Sequence, residues 1–292
     1  MNRFLVCFLF VISILLACNS QADKHVDELE STEVQPLRIV SLAGALTETV
    51  YSLGKADQLV GIDITSTYPD SITASLPKLG HISSINSEGV LSMRPDIVFV
   101  LKKGLRQELV QQLKAAGVTV KVIDQEFSIN GTKQLIDTIA ETLQAKAAAD
   151  SLKAKIDADL AKVEALSSAK RALFIYARGA GNMSVGGKGT AVAQLIQLAG
   201  GVNVANDFEA YKPLTAEAMV KADPEMILFF QSALQSMGGP KALNQIPAIA
   251  QTKAGANESF VGMDGLFMAG FGPRVGEAAL ALNQQFKTVG NE

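Results

Sequence analysis

Between Thr132 and Arg178 the chain contains neither glycine nor proline, although both are frequent on either side. Within this window "LIDTIAETLQAKAAADSLKAKIDADLAKVEAL" is rich in strong helix formers, and Ile136, Ile139, Leu143, Ala147, Leu152, Ile156, Leu160 and Val163 recur at steps of three to five residues. The pattern predicts one helix of about 34 residues, roughly 50 Å long at 1.5 Å per residue. Such a length exceeds the width of an ordinary lobe. The stripe is too irregular for sustained heptads, so the expected element is a rigid strut lying across two lobes rather than a coiled coil.

Both flanks alternate strand and helix. Before the window, "LRIVSLA", "QLVGIDI", "DIVFVL" and "VTVKVID" are β-branched runs, separated by helical patterns such as "TETVYSLG" and "LRQELVQQLKAAG". After it, "RALFIYA", "EMILFF" and "SFVGM" read as strands, with "TAVAQLIQLAGG" and "PRVGEAALALNQQF" as helices. The halves echo one another: "VLSMRPDIVFVL" and "AMVKADPEMILFF" share a helix end, a proline-acid step and a strand. The expected fold class is α/β, with two similar α/β lobes joined by one long helix. Ligands of such folds bind at the carboxyl ends of the strands, here in the cleft between lobes.

Residues 1–18, "MNRFLVCFLFVISILLAC", carry one positive charge at Arg3 and an apolar stretch from Phe4 to Leu16, too short and too N-terminal for a comfortable membrane span. They read as a secretory signal peptide, with a retained anchor helix as the alternative. The "LLAC" ending resembles a bacterial lipobox, which implies lipidation of Cys18 and loss of Cys7 with the signal. No internal disulfide can then form, and the core must hold the fold unaided. Residues 19–35 are polar and mostly acidic and read as a flexible tether that includes His25. The expected domains are the first lobe at 36–130, the linking helix at 131–168 and the second lobe at 169–292. A net charge of -3 and a hydrophobic share of 48% suit a globular protein without a basic field. Nucleic acid is an unexpected partner on that ground.

Enzymatic motifs do not assemble. "GNMSVGGKGT" has Asn182 where a phosphate loop needs its first glycine and Gly189 where it needs Ser or Thr. The sequence has no CxxC, HExxH or GxSxG. A Ser-His-Asp arrangement would depend on His81 alone. The expectation is a binding protein, with an extracellular hydrolase or adhesion module as rivals from other classes.

"TSTYPDS" (residues 65–71) then stands out, because it places one of only four tyrosines in a loop. On composition alone Tyr68 reads equally as an ordinary turn residue before proline. "RIVSLAGALTETVYSLG", "LVGIDITSTYP", "EGVLSMRPDIVFV", "GTAVAQLIQLAGG", "YKPLTAEAM" and "FGPRVGEA" together resemble the haem substrate-binding proteins of bacterial ABC importers. These belong to a wider class that also carries cobalamin and iron-siderophores. The resemblance covers nearly all of the chain from Arg38 to Phe286. It implies haem as the transported ligand, Tyr68 as the axial iron ligand, an ABC permease as partner, and a monomer tethered by lipid in the periplasm or at the outer face of the cytoplasmic membrane. A ferric siderophore or cobalamin is the alternative cargo, and neither would need a protein ligand to the metal.

Tyrosinate is a recognised haem ligand because ferric iron favours oxygen donors. Where relatives often carry a second-lobe histidine, this chain has "YARGAGNMSVGGKGT". Arg178 is therefore expected to serve the phenolate or a haem propionate, and Met183 to offer a thioether or pack on the porphyrin. Arg274 in "GFGPRVGEA" reads as a propionate ligand or as a structural helix-terminal arginine. Phe271, with Phe267 and Met268, is expected either to flank the porphyrin or to belong to the core. His81 is a candidate iron ligand or a surface residue. For docking to the permease the resemblance implies Glu48 on the first lobe, with Glu217 or Glu209 on the second.

Overall fold

The computed structural model describes residues 36–179 and 181–288, so the signal peptide, the tether, His25 and Cys18 lie outside the described residues. The first lobe runs β1 (Ile39–Ser41), α1 (Gly44–Ser52), β2 (Leu59–Ile62), α2 (Asp70–Thr73), α3 (Ser87–Ser92), β3 (Ile97–Leu101), α4 (Gln107–Ala115), β4 (Thr119–Ile123) and α5 (Ile129–Thr142), followed by α6 (Lys146–Leu160). The second runs β5 (Arg171–Ala177), β6 (Met183–Gly186), α7 (Ala191–Leu198), β7 (Val202–Asn203), β8 (Tyr211–Pro213), α8 (Ala216–Ala222) and β9 (Met226–Phe230). Four short helices follow, α9 (Gln231–Ser236), α10 (Gly239–Leu243), α11 (Pro247–Ala250) and α12 (Lys253–Ala256), then β10 (Phe260–Met263), α13 (Gly265–Ala269) and α14 (Val275–Thr288).

The first sheet is parallel throughout, in the order β2-β1-β3-β4. The second has the order β10-β9-β5-β6-β8, parallel from β10 to β5 and antiparallel beyond, with β7 pairing β5. Alternation along each strand feeds two layers. Ile39, Phe99, Phe174 and Leu228 join one apolar cluster that includes Leu135, Ile139, Ile156 and Leu282 from the helices. Their strand neighbours enter separate clusters, Val40, Val98 and Val100 in the first lobe and Leu173, Ile175, Ile227 and Phe229 in the second. Sheets covered on both faces need such continuous apolar strands, which is why these segments do not alternate with polar residues. One core thus runs through both sheets and α5, α6 and α14.

The internal echo is structural. After α3, Arg94 turns left-handed (φ 47°) before Pro95, and after α8, Asp223 does the same (φ 39°) before Pro224. Next in each copy comes an acid that receives a backbone N–H from the start of the strand paired alongside: Arg38 N, just before β1, donates to Asp96 at 2.8 Å and Arg171 N, at the start of β5, to Glu225 at 2.9 Å. The arginine side chains then reach back, Arg38 Nη2 to the Met93 carbonyl at 2.7 Å and Arg171 Nη2 to the Ala222 carbonyl at 2.5 Å.

The expected strut is two helices, not one. Residues 143–145 break it: Leu143 closes α5, and Gln144 adopts φ 54°. The chain then doubles back. Lys133 pairs with Asp157 at 2.6 Å and Lys153 with Asp137 at 2.5 Å, contacts that require α5 and α6 to lie antiparallel. Buried positions fall at Ile136, Ile139, Ala140 and Leu143, then at Ala149 and Ile156, so the stripe loses helical phase at the turn. The helix that links the lobes is α6, 15 residues or about 22 Å. Left-handed φ is unfavourable for an exposed glutamine with a Cβ. Gln144→Gly is accordingly expected to stabilise the fold by about 0.5–1 kcal/mol, seen as a small upward shift of the thermal midpoint.

A second fastening crosses between lobes. The segment Gly270–Arg274, which precedes α14, receives Gln125 Nε2 on its Gly270 carbonyl at 2.8 Å and Thr132 Oγ1 on its Phe271 carbonyl at 3.0 Å. Phe271 sits there at φ 49° and is 2% exposed, with its ring 5.5 Å from Phe127.

Candidate functional site

The loops that leave the carboxyl ends of β1, β2, β5, β9 and β10 converge where the two lobes meet. After β2 the chain turns on Asp63, which is 2% exposed. Its Oδ2 accepts from Thr65 N at 3.1 Å and Thr65 Oγ1 at 2.6 Å, and its Oδ1 from Ser66 Oγ at 2.7 Å. Thr65 in turn meets the start of α1, where Gly44 N donates to Thr65 Oγ1 at 3.0 Å. Gly44 is required by this approach: a Cβ would lie 2.5 Å from the Thr65 carbonyl oxygen and 2.6 Å from Leu266 of the second lobe.

Two residues beyond Ser66, Tyr68 presents its ring at 37% exposure. It is an edge-on neighbour of Tyr51, with centroids 6.4 Å apart. The Arg274 guanidinium lies over its face at 3.5 Å and over Phe267 at 5.1 Å. Tyr68 therefore stands against second-lobe residues rather than on an outer surface. A cation over an aromatic face is attracted to the ring's negative quadrupole. Burial works against the Arg274 charge, but hydrogen bonding and Coulomb attraction from Glu48, with smaller help from Tyr68 and Asp264, outweigh it and hold the guanidinium above its ordinary range.

On the second lobe the carboxyl end of β5 carries Tyr176 and, two residues on, Arg178. Arg178 Nε donates to Tyr176 Oη at 3.0 Å, and its guanidinium lies 5.3 Å from that ring. Tyr176 also meets Tyr211 at 6.2 Å and Phe230 at 5.9 Å, over a buried Phe174 that is 5.1 Å from Phe230 and 6.5 Å from Tyr211. Phe230 ends β9 and lies beside Gly265, two positions before the half-buried Phe267 that meets Arg274. Each lobe thus offers a pair of tyrosines with an arginine on one of them.

Several expected residues belong elsewhere. Arg178 serves Tyr176 and makes no hydrogen bond to Tyr68. Phe271 is core, not a porphyrin face, because its ring is enclosed against Phe127. Met268 is likewise 1% exposed. Met183 is half-buried against the second-lobe cluster. The His81 ring is exposed and bonded through Nδ1 to Ser83 Oγ at 2.9 Å, with no ring contact or hydrogen bond to Tyr68. Glu48, expected on the outer surface for docking, is 2% exposed and bound to Arg274 Nη2 at 2.8 Å. A carboxylate so enclosed cannot meet another protein's arginine. Glu217 and Glu209 are exposed. Glu217 borders a depression of about 610 Å³ between β6, β8 and α8, which is lined by second-lobe residues only and holds none of the groups around Tyr68.

Tyr176 was not singled out in the sequence, although Tyr-Ala-Arg at a strand's end puts tyrosine and arginine on one side at a spacing of two. Tyr51 carried no signal of its own.

The periplasmic binding protein family model matches residues 39–265. The chain belongs to that family. This periplasmic binding protein superimposes on the apo form of the periplasmic haem-binding protein RhuT from Roseiflexus sp. RS-1 with a TM-score of 0.83, at 33% identity over 87% of this chain and 98% of that one. It is 28% identical over 214 residues to the ABC transporter substrate-binding lipoprotein YvrC of Bacillus subtilis (strain 168), covering 70% of this chain and 68% of the relative. It is 26% identical over 260 residues to the vitamin B12-binding protein of Yersinia pestis (strain Pestoides F), covering 86% and 87%. The two-lobed α/β architecture expected from the sequence is the architecture of the family.

Proposed function

We propose that this periplasmic binding protein captures ferric haem through a Tyr68 phenolate and delivers it to an ABC permease, tethered to the membrane by a lipid on Cys18. The observation that carries the reading is the Arg274 guanidinium 3.5 Å over the ring of a half-exposed tyrosine at the lobe junction. A phenol has an ordinary pKa near 10, so ligation at neutral pH needs the iron and a nearby cation to favour the anion. Arg274 places a cation beside Tyr68. The Tyr176, Tyr211 and Phe230 rings give the second lobe an aromatic face suited to a flat apolar macrocycle, and Arg178 is a ready partner for its carboxylates. Likeness to a haem-binding relative at 33% identity agrees with this cargo. Capture and release are binding steps, and no bond in the cargo need be made or broken. For the permease, Glu217 at the start of α8 is the exposed second-lobe carboxylate that the docking role now rests on.

The second reading is cobalamin, favoured by the relative that covers 86% of the chain. A cobalamin needs no tyrosinate. Titration of the purified apo-protein with haemin and, in parallel, with cyanocobalamin separates the two. Haemin is expected to saturate and to develop the visible charge-transfer absorption of a ferric tyrosinate, with no binding of the corrinoid. Saturable cyanocobalamin binding, with haemin giving only the spectrum of free haemin, would exclude the haem reading.

A further inference from the structure

We propose that Glu48 is a positioning residue of the ligand site: it clamps Arg274 against the Tyr68 ring and so sets the distance between a first-lobe phenol and a second-lobe cation. Glu48 lies in the middle of α1 and approaches Arg274 with both oxygens. Oε1 accepts from Arg274 N at 3.2 Å and from Nε at 2.9 Å, and Oε2 accepts from Nη2 at 2.8 Å. Binding along the Nε edge fixes the plane of the guanidinium as well as its place. That plane is the one stacked on Tyr68 and Phe267.

The residue before it positions the other half of the contact. Thr47 Oγ1 lies within hydrogen-bond distance of Ser41 Oγ and Ser66 Oγ, 2.7 Å from each, and Ser66 Oγ donates to Asp63 Oδ1 at 2.7 Å. Ser41, Thr47, Asp63 and Ser66 are all 2% exposed or less. A closed chain of buried hydroxyls ending on a carboxylate leaves the loop that carries Tyr68 little freedom. Two consecutive residues of α1 therefore index the two sides of the site, Thr47 the tyrosine and Glu48 the arginine. Stability alone is a poor explanation for the ion pair, since enclosed pairs are often replaceable by apolar residues without loss. Geometry explains it: the pair joins side chains 226 positions apart at the point where the proposed ligand atom sits.

The inference rests on the Tyr68 site proposed above, and its first measurement does not need haem. In apo-protein labelled with 15N-arginine, the Arg274 Nε–H proton is expected to be slow to exchange and shifted by the Tyr68 ring current, and Tyr68→Leu should abolish that shift. Glu48→Gln keeps the shape of the side chain but gives Arg274 one acceptor instead of two. It should return the Arg274 signal to a solvent-exchanging position, weaken haemin binding about tenfold, a change of roughly 1.4 kcal/mol, and blunt the tyrosinate absorption. Glu48→Asp, which restores the charge, should recover part of both. If Glu48→Gln leaves the Arg274 signal and the haemin spectrum as in the wild type, the clamp does not exist. If the wild type shows the Arg274 shift, and Glu48→Gln removes it, while haemin fails to bind, the clamp stands and the cargo is wrong.

Discussion

Tyr68→Phe is expected to lower haemin affinity by about a hundredfold or more and to remove the ferric tyrosinate absorption completely, while the thermal midpoint of the apo-protein stays within a degree or two. The substitution deletes one oxygen and nothing else. The phenylalanine ring keeps its place between Tyr51 and Arg274, and the loop remains held by Asp63 and Ser66, neither of which touches the phenol oxygen. A loss of two decades is about 2.7 kcal/mol, modest for an axial ligand because the macrocycle keeps its aromatic and carboxylate contacts. Spectrophotometric titration reads both quantities at once. An affinity and spectrum unchanged in the mutant would mean that Tyr68 is an ordinary loop residue.

Phe174→Ala carries the largest expected cost to the fold. Phe174 is 0% exposed on the central strand of the second sheet, in the cluster shared by both lobes. Removing a buried phenylalanine costs about 3–5 kcal/mol, from lost transfer energy and from the cavity left behind. At this chain length that corresponds to a fall in the thermal midpoint of roughly 10 °C, measurable by circular dichroism. The same ring underlies Phe230 and Tyr211, so the loss should also loosen the second-lobe aromatic face. Haemin affinity is expected to drop in the folded variant, with the tyrosinate absorption retained.

The two predictions probe parts of the molecule that were unequally visible in the amino-acid sequence. The lobes were legible because each is built from local signals that tertiary contacts reinforce. β-branched runs became strands, and the proline-acid step repeated in "RPDI" and "DPEM" became the same left-handed turn and carboxylate acceptor in each half. Tyr68 drew notice as a tyrosine in a turn, but its proposed role came from the resemblance that "LVGIDITSTYP" carries, since composition alone left it an ordinary turn residue.

The turn at Gln144 was not legible, since chains usually mark a left-handed residue with glycine or asparagine. Here a glutamine takes that conformation in a stretch of helix formers, and what makes it tolerable is the pairing of α5 with α6, including ion pairs that join residues 16 and 24 positions apart. Glu48 misled for a similar reason. The resemblance implied a docking carboxylate there, and only the arrival of Arg274 from the far end of the chain allows Glu48 to be enclosed. Phe271 is the converse: a glycine-rich surrounding suggests a mobile surface loop, yet Gln125 and Thr132 tie its backbone down and Phe127 covers its ring.

The lobes share one apolar cluster and are tied further by α6 and by the bonds that Gln125, Thr132 and Glu48 make to the Gly270–Arg274 segment. Halves that share a close-packed interior cannot swing widely apart without opening it. Tyr68 and its cation stand beside one of those ties, so cargo held there is expected to meet nearly the same spacing that the empty protein presents, and its release to depend on small shifts of loops rather than on the parting of the halves.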